Sequence, residues 1–442
     1  MPSTPIIGLE RRPKGGNVHN VRVVVIGAGI VGLATAYHLT QLGMQTSMVD
    51  RDPNGDKVSL GNAGAIAVTE VVPASMPGTG WRALGWMLDP LGPLAIRPAY
   101  ALRLIPWLVR FAKVGVPSEV ERIARAISAI NSRAYHDLSI MLSDIGMMSE
   151  VHSTGALTVY ESEAGYTRDV NEWTIKRNLG IVAHELTGAE AREMEPARGP
   201  RVVRAMFTPQ WAYVSDPRAI AEGIKNWLVQ RGVTIFTGEV CSIVRYGTSS
   251  AISMVLADGT IVPADRAVIA AGAWSAKLAG CLGDRVLLES ERGYNMTLPQ
   301  PNISLQRQLI FAERKFVATP LSCGLRIGGA AEFAGLGAAP NFKRSGRLVQ
   351  LAATYLPNLQ TQGGTSWAGH RPATPDSLPV IGSSMHEPNV LYAFGHGHLG
   401  LTQAATTGRL ISELVLGTSP SIDLAPYSID RFSKTVRVRN VN

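Results

Sequence analysis

Three glycines at G-x-G-x-x-G spacing, Gly27, Gly29 and Gly32, followed by an acid at Asp50, are the residues whose types and order speak most directly of chemistry. Together they could cradle a pyrophosphate. Gly27 permits a tight strand-to-helix turn, Gly29 lets the backbone approach the phosphates, and Gly32 lets the following helix lie close on a sheet. The helix N-terminus adds unpaired N–H groups and a partial positive charge. Asp50 lies 18 residues after Gly32. There a carboxylate can accept hydrogen bonds from both ribose hydroxyls and would repel a 2′-phosphate, which argues against NADP. A second pair, His396 and His398, stands two apart on a glycine-rich stretch. With no third ligand nearby this spacing makes a poor metal site, and none is assigned.

A glycine motif alone is an ordinary turn; it becomes specific only inside the βαβ unit that positions it. That unit is legible here. Val23 to Ile26 form an apolar, β-branched strand, Ile30, Leu33, Ala34 and Tyr37 share one helical face, and a second apolar segment ends at Asp50. Residues 52–65 are polar and glycine-rich and read as a loop returning to the nucleotide. Residues 79–115 hold Trp81, Trp86 and Trp107 among prolines and predict short apolar helices; Glu119 to Asp144 predicts a longer amphipathic one. Leu157–Tyr160 and Ala205–Thr208 read as strands of a different, mixed sheet. A helix at Ala219–Gln230 leads to the strand VTIFTGEV, a hairpin turning at Asp258-Gly259, and the buried strand RAVIAAGAW. Residues 286–360 alternate short strands and turns. The strand NVLYAF and GHGHLGLT, opening a helix, close the pattern. The expected architecture is α/β with two domains. A Rossmann-like nucleotide-binding domain is built from 21–80, 211–285 and 365–442, and a mixed-sheet substrate domain from 81–210 and 286–364 is inserted in it. Residues 1–20 read as a flexible arm.

Composition agrees. At 442 residues the chain exceeds the usual growth of one core, and 45% apolar with 17% charged residues describes a globular protein. The net charge of +8 is dispersed, without the basic stripe and interleaved aromatics of a nucleic-acid surface; it suits anionic substrates. Cys241, Cys281 and Cys323 are scattered, which fits a reducing compartment. Arg11-Arg12 hints at a twin-arginine signal, but the apolar run behind it is the βαβ unit, and a cytoplasmic protein is expected.

With these pieces in place the chain resembles the FAD-dependent D-amino-acid dehydrogenases of the D-amino-acid oxidase and glycine oxidase superfamily, including the D-hydroxyproline dehydrogenases. The likeness rests on GAGIVG, SLGNAGAI, GWMLDPLGPLAIRP, WAGHRPATPDSLPVIG and GHGHLGLT, and covers nearly the whole chain after residue 20. It implies a D-amino-acid-oxidase-like flavoprotein with an extended, noncovalent FAD. No cysteine lies near the C-terminal motif and no histidine in the S-L-G-N loop, where relatives attach the cofactor. Carried onto matching positions, Gly27, Gly29 and Gly32 hold the pyrophosphate with Ile30 and Val31, and Asp50 with Arg51 the ribose. Ser59, Asn62, Ala63, Gly64 and Ala65 run beside the phosphates and ring, unless that loop is a mere surface turn. Val240 meets the adenine, with Ala271, Gly272 and Trp274 on the same cofactor surface. Gly395, Gly397, His398, Leu399, Gly400 and Thr402 sit at the pyrimidine edge of the flavin, where a helix N-terminus can stabilise the charge that develops on reduction.

Oxidation at Cα requires the carboxylate to be fixed, and a planar guanidinium does so through two parallel hydrogen bonds. The resemblance assigns this to Arg371 in G-H-R-P; otherwise it is a surface ion pair. Tyr294 either assists the substrate or is a packed core residue. His370 departs from the family's apolar residue and either lines the pocket or supports it from behind. The implied reaction takes a D-amino acid, D-proline and cis-4-hydroxy-D-proline among the candidates, to its imino acid. Two other readings are glycine or sarcosine oxidation, alone or as a subunit of a complex, and a nucleotide-binding regulator without turnover. The electron acceptor is a quinone, a carrier or oxygen. The tryptophan-rich segment, with Arg82, Arg97, Arg103 and Arg110, either rests on a membrane surface or packs as an interdomain lid.

Overall fold

The computed structural model describes residues 21–78, 91–245 and 251–433. The N-terminal arm, Trp81, Trp86 and Arg82 lie outside the described residues. A six-stranded sheet runs in the order Thr234–Thr237, Gln45–Asp50, Arg22–Ile26, Arg266–Ile269, Val390–Phe394, Val380–Ser383. All neighbours are parallel except the last pair. Parallel strands need cover on both faces, hence their continuous apolar character. Val23 and Val25 pack beneath the helix Ile30–Gln41. Val24 and Ile26 meet an antiparallel sheet of Val240–Arg245, Ile252–Leu256 and Ile261–Ala264 on the other side. Ile30–Gln41 is itself flanked by the helices Gly400–Val415 and Pro217–Gln230, which explains why it is buried nearly all round.

A second sheet of nine strands stands across from the first. Its order is Thr365–Ala373, Glu289–Leu298, Gly324–Phe333, Phe316–Leu321, Gln308–Phe311, Ala156–Tyr160, Arg204–Thr208, His184–Thr187, with Leu94–Ile96 beside Gly324–Phe333. The helix Lys343–Ala353 covers part of one face through Leu348 and Val349.

Three features depart from the sequence expectation. Thr365–Ala373, placed with the nucleotide-binding pieces, forms the edge of the nine-stranded sheet, because its nine-residue ladder with Glu289–Leu298 holds it there. The helix Pro117–Asp144, placed with the inserted pieces, packs on Gly400–Val415, and Ile123, Ile127 and Ile130 join the core of the parallel sheet. Its Asn131 accepts from Gln403, and Asp137 from Thr406 and Arg409. Finally, Ala101–Val114 is one helix of 14 residues despite Pro106 within it. The missing N–H deprives only the Leu102 carbonyl, and Leu102 is 81% exposed, where water serves instead.

Candidate active site

The three motif glycines do different work. A Cβ on Gly27, whose φ is +110°, would stand 2.5 Å from the Ala270 carbonyl oxygen, and one on Gly32 would overlap the Gly27 carbonyl. Gly27 and Gly32 therefore fix the close packing of turn, helix and sheet. A Cβ on Gly29 would meet only the Ser59 hydroxyl, at 3.5 Å, and that position opens onto a cavity of about 1460 Å³ between the two sheets. Ser59 Oγ accepts from the Ile30 N–H at 2.9 Å. Asp50 accepts from the N–H groups of Ala28 (2.7 Å) and Asp52 (2.9 Å) and from Lys57 Nζ at 3.0 Å. The acid is thus a held group whose charge is offset, and no sequence signal had marked Lys57.

Most of the expected cofactor residues border this one cavity. Gly27, Gly29, Ile30, Val31, Asp50, Arg51, Ser59, Asn62, Ala63 and Ala65 contribute from the N-terminal unit, and Val240, Ala271, Gly272 and Trp274 from the middle of the chain. Gly395, Gly397, His398, Leu399 and Gly400 contribute from the last strand-to-helix turn. Arg51 stacks 3.9 Å above the Trp274 ring, and His370 meets that ring edge-on. Three expected residues are not on the cavity surface. Gly32 is buried in packing; Gly64, at φ +75°, makes the turn in which its N–H donates to Asn62 Oδ1. Thr402 Oγ1 accepts from Ala67 N and donates to Ala65 O, fastening the helix Gly400–Val415 to the cofactor loop. The two loop histidines both border the cavity but differ in burial: His396 is buried against Thr407 Oγ1 at 2.9 Å, whereas His398 is exposed to it.

The opposite wall is the corner between Glu289–Leu298 and Thr365–Ala373. Antiparallel register sets Glu291 against Arg371, Gly293 against Gly369, and Asn295 against Trp367, all bordering the cavity. Arg371 Nη1 donates to Glu291 Oε1 at 2.8 Å and reaches the carbonyl of Ala330 at 3.5 Å. Ala330 sits in a bulge with φ +52°, an unusual conformation for a residue with a side chain. The guanidinium lies flat on Gly293, where a Cβ would overlap it, and the Trp367 ring lies between Gly61 and Gly369, where a Cβ on either would overlap the ring. Asn295 Nδ2 donates to the Gly61 carbonyl, tying this wall to the cofactor loop. Arg371 Nε and Nη2 have no hydrogen-bond partner among the described residues.

Residues 22–414 match the family described as DAO, FAD dependent oxidoreductase. The chain belongs to that family. Among curated proteins it is 33% identical over 417 residues to a D-amino-acid oxidase of Bradyrhizobium diazoefficiens, covering 93% of this chain and 98% of that one. Among solved structures it is similar to the glycine oxidase of Geobacillus kaustophilus, with TM-score 0.72, 21% identity, and 93% and 99% of the two chains covered. It is also similar to the iminodiacetate oxidase of Chelativorans, with TM-score 0.69, 22% identity, and 92% and 98% covered. The two-domain architecture with a Rossmann-like half is therefore that of these flavoproteins, and the protein is an FAD-dependent oxidoreductase. The residues present fit the cofactor. The glycine cradle opens where a pyrophosphate would lie, and residues at the starts of two helices, Ile30–Gln41 and Gly400–Val415, border the same cavity.

Two candidate substrate residues of this oxidoreductase, Tyr294 and His370, also border the cavity, but alternation places them on the strand face opposite to Arg371. Tyr294 is 1% exposed; its hydroxyl donates to Glu332 and accepts from Asn341 N at 3.1 Å, while Glu332 also pairs with Arg97 and Arg292. Its burial and hydrogen bonds are those of a packed core residue, so Tyr294→Phe should lower stability by about 1 kcal/mol and leave KM unchanged. Thermal melting beside steady-state kinetics checks this, and a raised KM would return Tyr294 to the substrate. His370 borders the cavity beside Trp274 and shares a 2.6 Å hydrogen bond with Ser290 Oγ.

Burial pushes His38 and His370 down to about 4 and His396 to about 3, in His370 with help from Arg292 and Arg51. His398 is also lowered by its depth, though Glu291 and Glu70 oppose the shift. Below about pH 6.5 the unfolded chain takes up protons that the folded chain refuses until lower pH, so stability must fall as pH drops through that interval. A melting temperature that does not change between pH 7 and pH 5 would contradict this.

Proposed function

We propose that the protein oxidises a D-amino acid to its imino acid, removing one hydride from Cα and one proton from the amine. FAD, when bound, supplies the hydride acceptor. The observation that carries this reading is the Arg371 guanidinium, laid flat on Gly293 at the cavity wall with Nε and Nη2 unspent. That edge of the fork can grip a carboxylate by two parallel bonds and so fix which hydrogen of Cα faces inward. A protein that only bound nucleotide would have no use for such a clamp. The D configuration is supported by the Bradyrhizobium relative. D-proline and cis-4-hydroxy-D-proline are the finer substrate candidates, and glycine or sarcosine oxidation is the second reading. The anaerobic visible spectrum decides among them. Bleaching by D-amino acids supports the proposal, the fastest naming the substrate; bleaching by glycine or sarcosine alone moves it to the second reading; a colour that no amine changes refutes both. Acid precipitation should release all the flavin if it is held noncovalently.

The electrons pass on to a quinone, a carrier or oxygen. Trp107 supports the lid reading of its helix: it is buried, donates to Ala373 O at 3.1 Å, and borders the cavity with Leu108 and Phe111. The outer face of the same helix exposes Leu102, Ile105 and Val109, and the helix carries Arg103, Arg110 and Lys113 without an acid. No helix among the described residues is long and apolar enough to cross a membrane. This face favours peripheral contact with an anionic lipid surface from the cytoplasmic side. The protein should co-sediment with anionic vesicles at low salt, and Leu102→Asp should abolish it. Equal recovery in the supernatant with and without vesicles would rule the contact out.

A further inference from the structure

Rejecting ions of the wrong charge is a separate task from gripping a carboxylate, and Arg371 alone cannot do it. A lone guanidinium in a cavity attracts any carboxylate, whether amino acid, 2-hydroxy acid or 2-oxo acid. Here it is not alone. Glu291 stands directly across the strand pair, with Oε1 2.8 Å from Arg371 Nη1, and both side chains are about one quarter exposed to the cavity, at 27% and 25%. Glu291 Oε2 has no hydrogen-bond partner among the described residues, just as Arg371 Nε and Nη2 have none. The pair is therefore half-satisfied on both sides and open on the same face. His398, which also borders the cavity, has its pKa lowered by desolvation, while Glu291 and Glu70 oppose the shift.

We infer that Glu291 and Arg371 form one charge-matched clamp, in which Glu291 Oε2 takes the substrate's amine and makes the site selective for zwitterions over simple carboxylates. This rests on the amino-acid reading above and extends it to a residue no sequence signal had marked. The argument is electrostatic. The clamp has no net charge, so a zwitterion adds none and places its two ends against opposite partners. A 2-oxo or 2-hydroxy acid adds an uncompensated negative charge beside the Glu291 carboxylate, which repels it. One consequence concerns the product. Once the imine has hydrolysed, the 2-oxo acid has lost the group that Glu291 holds, and the site expels it.

The test is Glu291→Gln, which keeps an acceptor for Arg371 Nη1 but removes the charge, with Glu291→Asp as the charge-retaining control. Binding is read from perturbation of the flavin spectrum, using D-alanine and its 2-oxo acid, pyruvate, as probes. In Glu291→Gln, D-alanine should bind at least about tenfold more weakly and pyruvate at least about tenfold more tightly, with product inhibition appearing in turnover. Glu291→Asp should stay nearer the parent. The opposed signs are the diagnostic. Weakening of both ligands would mean that Glu291 merely holds Arg371 in place, and no change in either would remove it from the site; each overturns the inference. The unsubstituted enzyme keeps the two questions apart. If no amino acid reduces its flavin, the amino-acid reading fails, whatever the substitution does to binding.

Discussion

Gly32→Ala should yield little soluble protein, and what remains should be colourless. The added Cβ would overlap the Gly27 carbonyl, and both groups are backbone locked in the turn that starts the helix. No side chain can swing aside, so the helix Ile30–Gln41 must lift from the sheet it covers. Overpacking at a rigid contact costs about 1–3 kcal/mol or more, a large share of the roughly 5–15 kcal/mol that holds a typical domain together. Gly29→Ala should behave differently. Its Cβ meets only Ser59 Oγ at ordinary contact distance, so the apoprotein should fold and melt like the parent. The methyl group would nevertheless stand where phosphate oxygens must reach the backbone, and the protein should purify without flavin. Soluble yield, melting temperature and flavin absorbance, measured on both variants, separate a packing glycine from a cofactor glycine. A yellow, stable Gly32→Ala protein would show that the helix can shift, and a fully flavinated Gly29→Ala protein would show that the phosphates lie elsewhere.

Arg371→Ala should lose about 10²–10³-fold in kcat/KM, most of it in KM, with flavin content unchanged. Truncating one member of a hydrogen-bonded charge pair costs about 2–5 kcal/mol, because the surviving charge is stranded. Here the survivor is Glu291, which would face an incoming substrate carboxylate as a like charge. Arg371→Lys should recover only part of the loss. An ammonium keeps the charge and can still pair with Glu291, but cannot offer two parallel donors or lie flat against Gly293. Steady-state kinetics on the flavinated variants provide the check, and an unchanged KM in Arg371→Ala would place the carboxylate on another donor.

What could be read from residues alone follows how far apart the interacting groups lie in the chain. The glycine cradle and Asp50 were legible because the whole device spans one βαβ unit, where local geometry ties residue type to position. The turn at Asp258-Gly259 was legible for the same reason: Gly259 has φ +87° and the Thr260 N–H donates to Asp258 Oδ1. Glu291 was not, because its partner is 80 residues away and only the strand register brings them together. The same register separates Tyr294 and His370 from Arg371, although His370 adjoins it in sequence: neighbours in a strand face opposite ways. Thr402 shows a third case. Its place in a cofactor-like motif suggested direct contact, whereas its hydroxyl is used on backbone that shapes the cofactor loop.

The parallel sheet also has a consequence for how the chain is made. Its strand Arg22–Ile26 leaves the ribosome before its partner Arg266–Ile269, 243 residues later, and the next strand over, Val390–Phe394, is later still. The helix Ile30–Gln41 waits longer, since the helix Gly400–Val415 that covers it follows even that strand in the chain. Until those segments are made the apolar face of the first βαβ unit has no partner, a delay that favours association with other unfinished chains. A chain stopped before residue 390 would carry every glycine of the cradle and still lack the strand and helix that hold the cradle shut.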